Sequence, residues 1–131
     1  MAPSPDPAAY AYAVLRIVPV IEREEFVNAG LILFCRERRF LAARGVLDEA
    51  ALGALRTGSD ADAIRDQLRF VESVAAGELS EGPLAPMSQS ERFHWLTTPR
   101  STLVQPGPLH AGTTEDPEAT FEHLFGLLVS R

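Results

Sequence analysis

The spacing of hydrophobic and polar positions changes near residue 48 of this chain. Before that point, three apolar runs rich in aromatic and β-branched residues are separated by a proline or by charged turns, which is typical of β-strands. The runs cover residues 10–18, 26–34 and 40–46. Because the connections between them are short and polar, the pattern predicts a three-stranded antiparallel meander. Gly30 inside the second run predicts a bulge or a close backbone approach.

After residue 48 the apolar residues recur at helical spacing. A short helix is predicted over 49–56, and a longer helix follows it and ends at Gly77, a natural C-terminal cap. One face of the longer helix carries Ile64, Leu68, Val71 and Ala75. Ser88 and Glu91 have the spacing of a capping box, which predicts the start of another helix. Asp116 followed by Pro117 predicts the start of the last one.

A later strand is predicted at residues 101–105, with residues 109–112 returning beside it after the Pro106-Gly107-Pro108 turn. The order of elements predicts an α+β domain, in which an antiparallel sheet of the three-strand meander plus the later strand has helices packed on one face. The proline-rich residues 1–9 predict a flexible tail, and residues 10–131 predict a single domain.

Composition narrows the classes of function. The chain has 131 residues, 46% of them apolar, which suffices for a hydrophobic core. A net charge of −6 argues against extended nucleic-acid binding, which depends on a basic surface. The single cysteine, Cys35, excludes an intrachain disulfide and a thiolate zinc cluster. We find no nucleotide, hydrolase or zinc-protease motif and no membrane-length apolar segment, so we expect a cytoplasmic protein without cofactor or metal.

Candidate chemistry concentrates between residues 99 and 117, where proline and glycine interrupt a polar segment. Arg100 offers a bidentate fork for a phosphate or carboxylate, and His110 can transfer protons near neutral pH. If this segment folds as a strand, a turn and a returning strand, Arg100 and His110 become cross-strand neighbours beside Ser101 and Gln105. The alternative is structural: Arg100 pairs with an acidic residue, and His110 donates to loop carbonyls.

Asn28 is a further candidate because an amide in the middle of an apolar strand is costly without a partner. Its side chain can either anchor a neighbouring loop or reach a binding site. We favour the anchoring role.

Residues 12–19, YAVLRIVP, and residues 24–34, EEFVNAGLILF, form two motifs near the start of the chain. They resemble the opening of a bacterial family, domain-of-unknown-function family 3037, and the resemblance extends over about residues 10–130. The match continues through Arg92-Phe93, Leu96, Pro99 to Thr102, Gln105, His110 to Gly112, Asp116-Pro117 and the final helix. Gly107 and Leu109 depart from the family pattern, which has Ser and Val there. The resemblance implies an accessory role with a HipA-like kinase as a partner protein.

These observations support three hypotheses. The first is a non-enzymatic binding or accessory module whose Arg100 and His110 surface contacts an anionic ligand or a partner protein. The second is a small enzyme acting on a phosphorylated or carboxylated substrate, with Arg100 as anion clamp and His110 as general acid/base. The third is a homodimeric structural protein that associates through the edge of the first strand or through an apolar helix face.

Overall fold

The computed structural model describes residues 6–18, 26–47, 61–100, 102 and 104–129. These residues form five strands and three helices: β1 (Ala8–Ile17), β2 (Val27–Cys35), β3 (Phe40–Gly45), α1 (Ala61–Ala76), α2 (Gln89–Leu96), β4 (Val104–Pro106), β5 (His110–Thr114) and α3 (Pro117–Leu128). The predicted helix over 49–56 lies outside the described residues, as do Ser101 and Leu103 of the predicted late strand.

The five strands form one antiparallel sheet in which β1 is central. The order is β3-β2-β1-β4, and β5 also pairs with β1. The α+β class and the antiparallel meander are therefore confirmed. Strand β1 begins at Ala8, inside the segment predicted as a tail, because Ala8 is fully buried opposite Thr114 of β5. Residues 1–5 lie outside the described part of the chain.

The pairing of β1 with β2 contains the irregularity predicted at Gly30. Leu15 pairs with Gly30 and Arg16 pairs with Asn28, so Ala29 is an extra residue on β2. A Cβ atom at Gly30 would lie 2.6 Å from the Arg44 carbonyl oxygen, a distance that no side chain tolerates. The glycine therefore permits the close approach of β2 to β3.

The helix termini follow the local signals. Ser88 and Glu91 form the predicted capping box of α2, and the Asp116 side chain accepts from the Ala119 N–H at the start of α3. Gly77 follows α1 with a φ of +72°, the left-handed conformation expected of a C-terminal glycine. Within the described residues, no helix combines the length and apolar character needed to cross a membrane.

The helices occupy both faces of the sheet, which differs from the predicted one-sided arrangement. Helices α1 and α2 cover one face, where their apolar residues pack on Leu15, Ile17 and Ile32. Helix α3 covers part of the other face, where Phe121 and Phe125 pack on β2. Strand β2 explains the difference, because residues 29–33 are all buried. A strand that is buried on both faces needs a layer on each side.

Candidate functional site

Arg100 lies just after α2 and folds back onto it. Its guanidinium donates to the Trp95 carbonyl and, at 3.3 Å, to the Thr98 carbonyl. The Cζ atom lies 4.4 Å from the centroid of the Trp95 ring, a cation–π contact. Burial lowers the pKa of Arg100. Arg100 is thus an oriented, partly desolvated cation on the side of the sheet that α1 and α2 cover.

His110 does not lie near α2; it is the first residue of β5. Its ring stacks on Tyr12 with centroids 5.1 Å apart, and the residue is exposed. Strands β4 and β5 do not return beside each other: β4 pairs with β1 at Leu15 to Ile17, and β5 pairs with β1 at Ala8 to Tyr12. The predicted strand-turn-strand is wrong because the chain continues along β1 instead of reversing. Arg100 and His110 are therefore not cross-strand neighbours.

The side-chain amides of Asn28 and Gln105 both donate to backbone carbonyls of the chain. The Asn28 Nδ2 atom donates to the Leu128 carbonyl at the end of α3 (3.1 Å), which is the anchoring role favoured from the sequence. The Gln105 Nε2 atom donates to the Thr102 carbonyl (2.9 Å). Ser101 lies outside the described residues.

The predicted site residues do not form one cluster. Residues that pair directly across strands project to the same face, so His110 lies on the face of its partner Tyr12, which packs in the α3 cluster. Gln105 and Asn28 both pair with Arg16 and lie on that same face. Arg100 lies on the opposite side against α2. The structure brings Asn28 and Gln105 together across Arg16 and separates both from Arg100.

Three neighbouring residues, which we call the Trp95 surface, form a partly exposed patch: Phe70, Trp95 and Arg100. The Phe70 side chain is 43% exposed and meets the Trp95 ring edge-on, with centroids 6.0 Å apart. A groove of about 510 Å³ on one side is lined by Met87, Ser90, Glu91, His94, Trp95 and Thr98. A second groove of about 250 Å³ is lined by Gln67, Phe70, Val71, Arg100, Thr102 and Val104. Aromatic and arginine side chains flanked by two concave areas are typical of a binding surface.

Phe70, Trp95 and Arg16 are not among the candidate residues predicted from the sequence. Phe70 lies between Leu68 and Val71, which face the core, so the helical period directs its side chain to solvent. The sequence therefore contains a signal for an exposed aromatic residue at this position. Arg16 is a charge in an otherwise apolar strand, which is also visible in the sequence, but the pairing of Arg16 with Asn28 and Gln105 depends on strand register.

Metal-binding groups do not cluster in the part of the chain that the structure describes. Among those residues, no three His, Cys, Asp or Glu side chains lie close enough to hold a metal ion. Cys35 is buried.

Comparison with known proteins gives a family. A family model described as "Protein of unknown function (DUF3037)" matches residues 12–129, nearly the whole chain. Neither a curated protein nor a solved structure matches the chain. The family match agrees with the resemblance seen in the motifs from Tyr12 to the last helix, and the chain therefore belongs to the DUF3037 family.

Proposed function

We propose that this chain is a non-enzymatic binding module that presents the Trp95 surface to an acidic segment of a partner protein. The observation that carries the proposal is the Arg100 guanidinium stacked over the half-buried Trp95 ring, with its Cζ atom 4.4 Å from the centroid. Tryptophan, tyrosine and arginine are the residue types most enriched among residues that dominate binding energy at interfaces.

The electrostatics of Arg100 indicate the chemistry of the partner. Among the described residues, its hydrogen-bond acceptors are the backbone carbonyls of Trp95 and Thr98, which orient the guanidinium without neutralising it. A carboxylate from a partner would supply the missing counter-charge through the remaining N–H groups. Because the group is partly withdrawn from water, that interaction would be stronger than at a fully solvated arginine.

The two grooves beside this cation supply the apolar part of the interaction. Met87 and Trp95 line one groove, and Phe70 and Val71 line the other. A peptide segment that crosses between them would place one carboxylate at Arg100 and apolar side chains on each side. The expected ligand is therefore an acidic segment that also carries apolar residues.

Arg100 and His110 are too far apart in the fold to act together on one small substrate, because they lie on opposite sides of the sheet. The enzyme hypothesis with Arg100 as anion clamp and His110 as general acid/base gains no support from this geometry. The binding hypothesis needs only the Arg100 side. A HipA-like kinase, which the family resemblance suggests, is our proposed partner.

Affinity capture with matched variants tests the proposal. The tagged chain, Arg100→Gln and Arg69→Gln would each be used to capture proteins from lysate of the source organism and to bind the purified HipA-like kinase. Arg69 is the control because it is an exposed arginine whose contact with Asp66 is long, at 3.9 Å. We expect Arg100→Gln to weaken partner binding about 30-fold, as for an interface residue that contributes about 2 kcal/mol, and Arg69→Gln to bind normally.

Trp95 offers an independent readout, since it is the single tryptophan of the chain. A Trp-free acidic peptide taken from the captured partner should change Trp95 fluorescence saturably, and Arg100→Gln should weaken that response. If no captured protein distinguishes Arg100→Gln from Arg69→Gln, the proposed surface is wrong. If a protein distinguishes them but is not the kinase, only the partner assignment fails.

A further inference from the structure

Arg16 is the centre of a polar row on the face opposite to the Trp95 surface. It pairs with Asn28 on β2 and with Gln105 on β4, so the three residues lie side by side across three strands. Directly paired residues of an antiparallel sheet have Cβ atoms about 5 Å apart and project to the same side. The hydrogen bond from Asn28 to the Leu128 carbonyl places this row beside the C-terminal end of α3.

Among the described residues, no hydrogen-bond acceptor contacts the Arg16 guanidinium. Its Cζ atom lies 4.2 Å from the centroid of the Phe26 ring, and its Nε atom is buried without a hydrogen-bond acceptor. Among the described residues, no carboxylate forms an ion pair with it. A partly buried charge without an acceptor is unfavourable, and a bound anion would relieve that cost.

Other arginines of the described residues behave differently. Arg38 donates to the Glu115 and Asp6 carbonyls, and Arg44 pairs with the Glu122 carboxylate at 2.7 Å. Arg92 also has a buried Nε atom without an acceptor, but its Nη1 atom donates to the Met87 carbonyl at 2.7 Å. Arg44 also contacts aromatic rings, those of Phe121 and Phe125, but it has a carboxylate partner. Arg16 thus differs from these arginines in having no acceptor among the described residues.

Gly107 holds the backbone of the neighbouring segment close to this guanidinium. A Cβ atom at Gly107 would lie 3.0 Å from the Arg16 Nε and 3.1 Å from its Cζ. The Gly107 N–H donates to the Val14 carbonyl (2.8 Å), which fixes the segment against β1. The guanidinium thus packs against both Phe26 and the backbone at Gly107, and a cation held by packing contacts loses less entropy when it binds.

The flanking amides provide additional donors. The amide nitrogens of Asn28 and Gln105 each use one N–H on a backbone carbonyl, and each retains a second N–H. A guanidinium and neutral amide N–H groups are all hydrogen-bond donors, which is the chemistry that binds a carboxylate or phosphate group. Neither amide carries a negative charge that would repel such a group.

We propose that Arg16, Asn28 and Gln105 form a binding site for a small oxyanion, the carboxylate or phosphate group of a small molecule. The site is separate from the Trp95 surface and does not depend on the proposed partner. Gly107 allows the guanidinium to lie against the backbone, and Phe26 covers it.

Nuclear magnetic resonance of the arginine side chains tests this site in the intact chain. Acetate, succinate and inorganic phosphate would each be titrated at constant ionic strength, with sodium chloride as the reference, while the Nε–H signals of the twelve arginines are followed. We expect saturable shifts of the Arg16 Nε–H and of the Asn28 and Gln105 side-chain amides. The Arg38 and Arg44 signals, whose groups already have acceptors, serve as internal controls.

Two variants make the result decisive. Arg16→Gln should weaken the affinity for the anion, measured from the shifts of the two side-chain amides, at least tenfold. The backbone spectrum of the variant shows whether it is folded. Gln105→Ala changes a residue of the edge strand β4 and should weaken anion binding several-fold. It replaces Arg16→Gln as the test if that variant does not fold. Saturation by acetate and succinate but not by phosphate assigns a carboxylate ligand, and the reverse assigns a phosphate. Equal shifts of all arginines, or an unchanged response in the variants, would overturn the proposal.

Discussion

The two faces of the sheet are covered in different ways. Helices α1 and α2 lie on one face and bury a large cluster that includes Leu15, Ile32, Ile64 and Phe93. Helix α3 lies on the other face and packs chiefly on β2 and β3, with Phe121 and Phe125 as its buried residues. The second face therefore depends on far fewer buried side chains.

This difference separates two kinds of accessible surface. Where two helices cover the sheet, the accessible groups lie on the helices and on the chain just after them, as Phe70, Trp95 and Arg100 do. Where a single helix covers only part of the sheet, side chains of the strands themselves stay accessible, as His110 does. The surface proposed for a protein partner and the site proposed for an oxyanion therefore lie on different faces of the sheet.

Among the variants that test the difference between the two faces, Phe121→Ala should have the largest effect. It removes a buried ring that packs on Phe125 and on the edge of Phe40, and we expect the free energy of unfolding to fall by about 3–5 kcal/mol. Chemical denaturation would measure that loss. In native-state hydrogen exchange, the α3 amides should lose protection before those of α1, because few other contacts hold α3.

Phe93→Ala on the other face is the matched control. Phe93 is buried against Phe34, and its loss should cost a similar free energy, about 3–5 kcal/mol. Its exchange pattern should be reversed, with α2 losing protection while α3 keeps it. If both variants raise exchange equally across the two faces, the faces unfold as one unit and the comparison fails.

Ser88→Ala should have a smaller effect, confined to the first face. The Ser88 hydroxyl accepts from the Glu91 N–H at 3.2 Å, and loss of such an N-cap costs about 1 kcal/mol. Ser90→Ala is the control, because Ser90 lies in the same helix but does not form the cap. We expect Ser90→Ala to change the free energy of unfolding by less than about 0.5 kcal/mol. Equal losses in the two variants would contradict the capping role.

Asn28→Ala tests the corresponding contact on the second face. The variant leaves the Leu128 carbonyl without its donor, at a cost of about 1 kcal/mol or slightly less, since the contact is exposed. Amide exchange in the last turn of α3 should increase, including that of Val129, whose N–H donates to Phe125. Unchanged exchange there would show that Asn28 does not anchor the helix.

Local signals in the sequence predicted most of the elements. The caps at Ser88, Asp116 and Gly77 are formed by residues within a few positions of each helix end, so the sequence alone contains them. The bulge beside Gly30 was predictable for the same reason. Each cap needs a residue type with a particular hydrogen bond or φ angle at one place, and Gly30 is needed because a side chain there would clash with the Arg44 carbonyl.

The arrangement of β4 and β5 required information that is not local. Pro106-Gly107-Pro108 has the composition of a reversing turn, yet Pro106 still pairs with Leu15 and the Gly107 N–H donates to Val14. Whether such a segment reverses or continues depends on the strand beside it. The prediction that Arg100 and His110 are neighbours followed from the reversal and failed with it.

The two-sided helix packing had a signal in the sequence that was not used. Strand β2 contains a continuous apolar run from Leu31 to Cys35 instead of an alternating pattern. Such a run indicates burial on both faces, and hence helices on both faces. The site around Arg16 could be predicted only in part, because strand register brings Asn28 and Gln105 beside it.

The smallest expected effect is a pH dependence at the start of α2. Hydrogen bonds from the backbone N–H of Ser88 and then from its side chain lower the pKa of Glu91 below the ordinary value of 4.5. Because the folded pKa is the lower one, the carboxylate stabilises the fold above about pH 4.5, and this contribution is lost as the pH falls through the folded pKa. Carboxyl resonances followed during a pH titration should show the pKa of Glu91 rising in Ser88→Ala and staying in place in Ser90→Ala. An ordinary pKa for Glu91 in the unmodified chain would mean that the capping box does not persist in solution, and α2 would then lack the hydrogen bonds that fix its first turn.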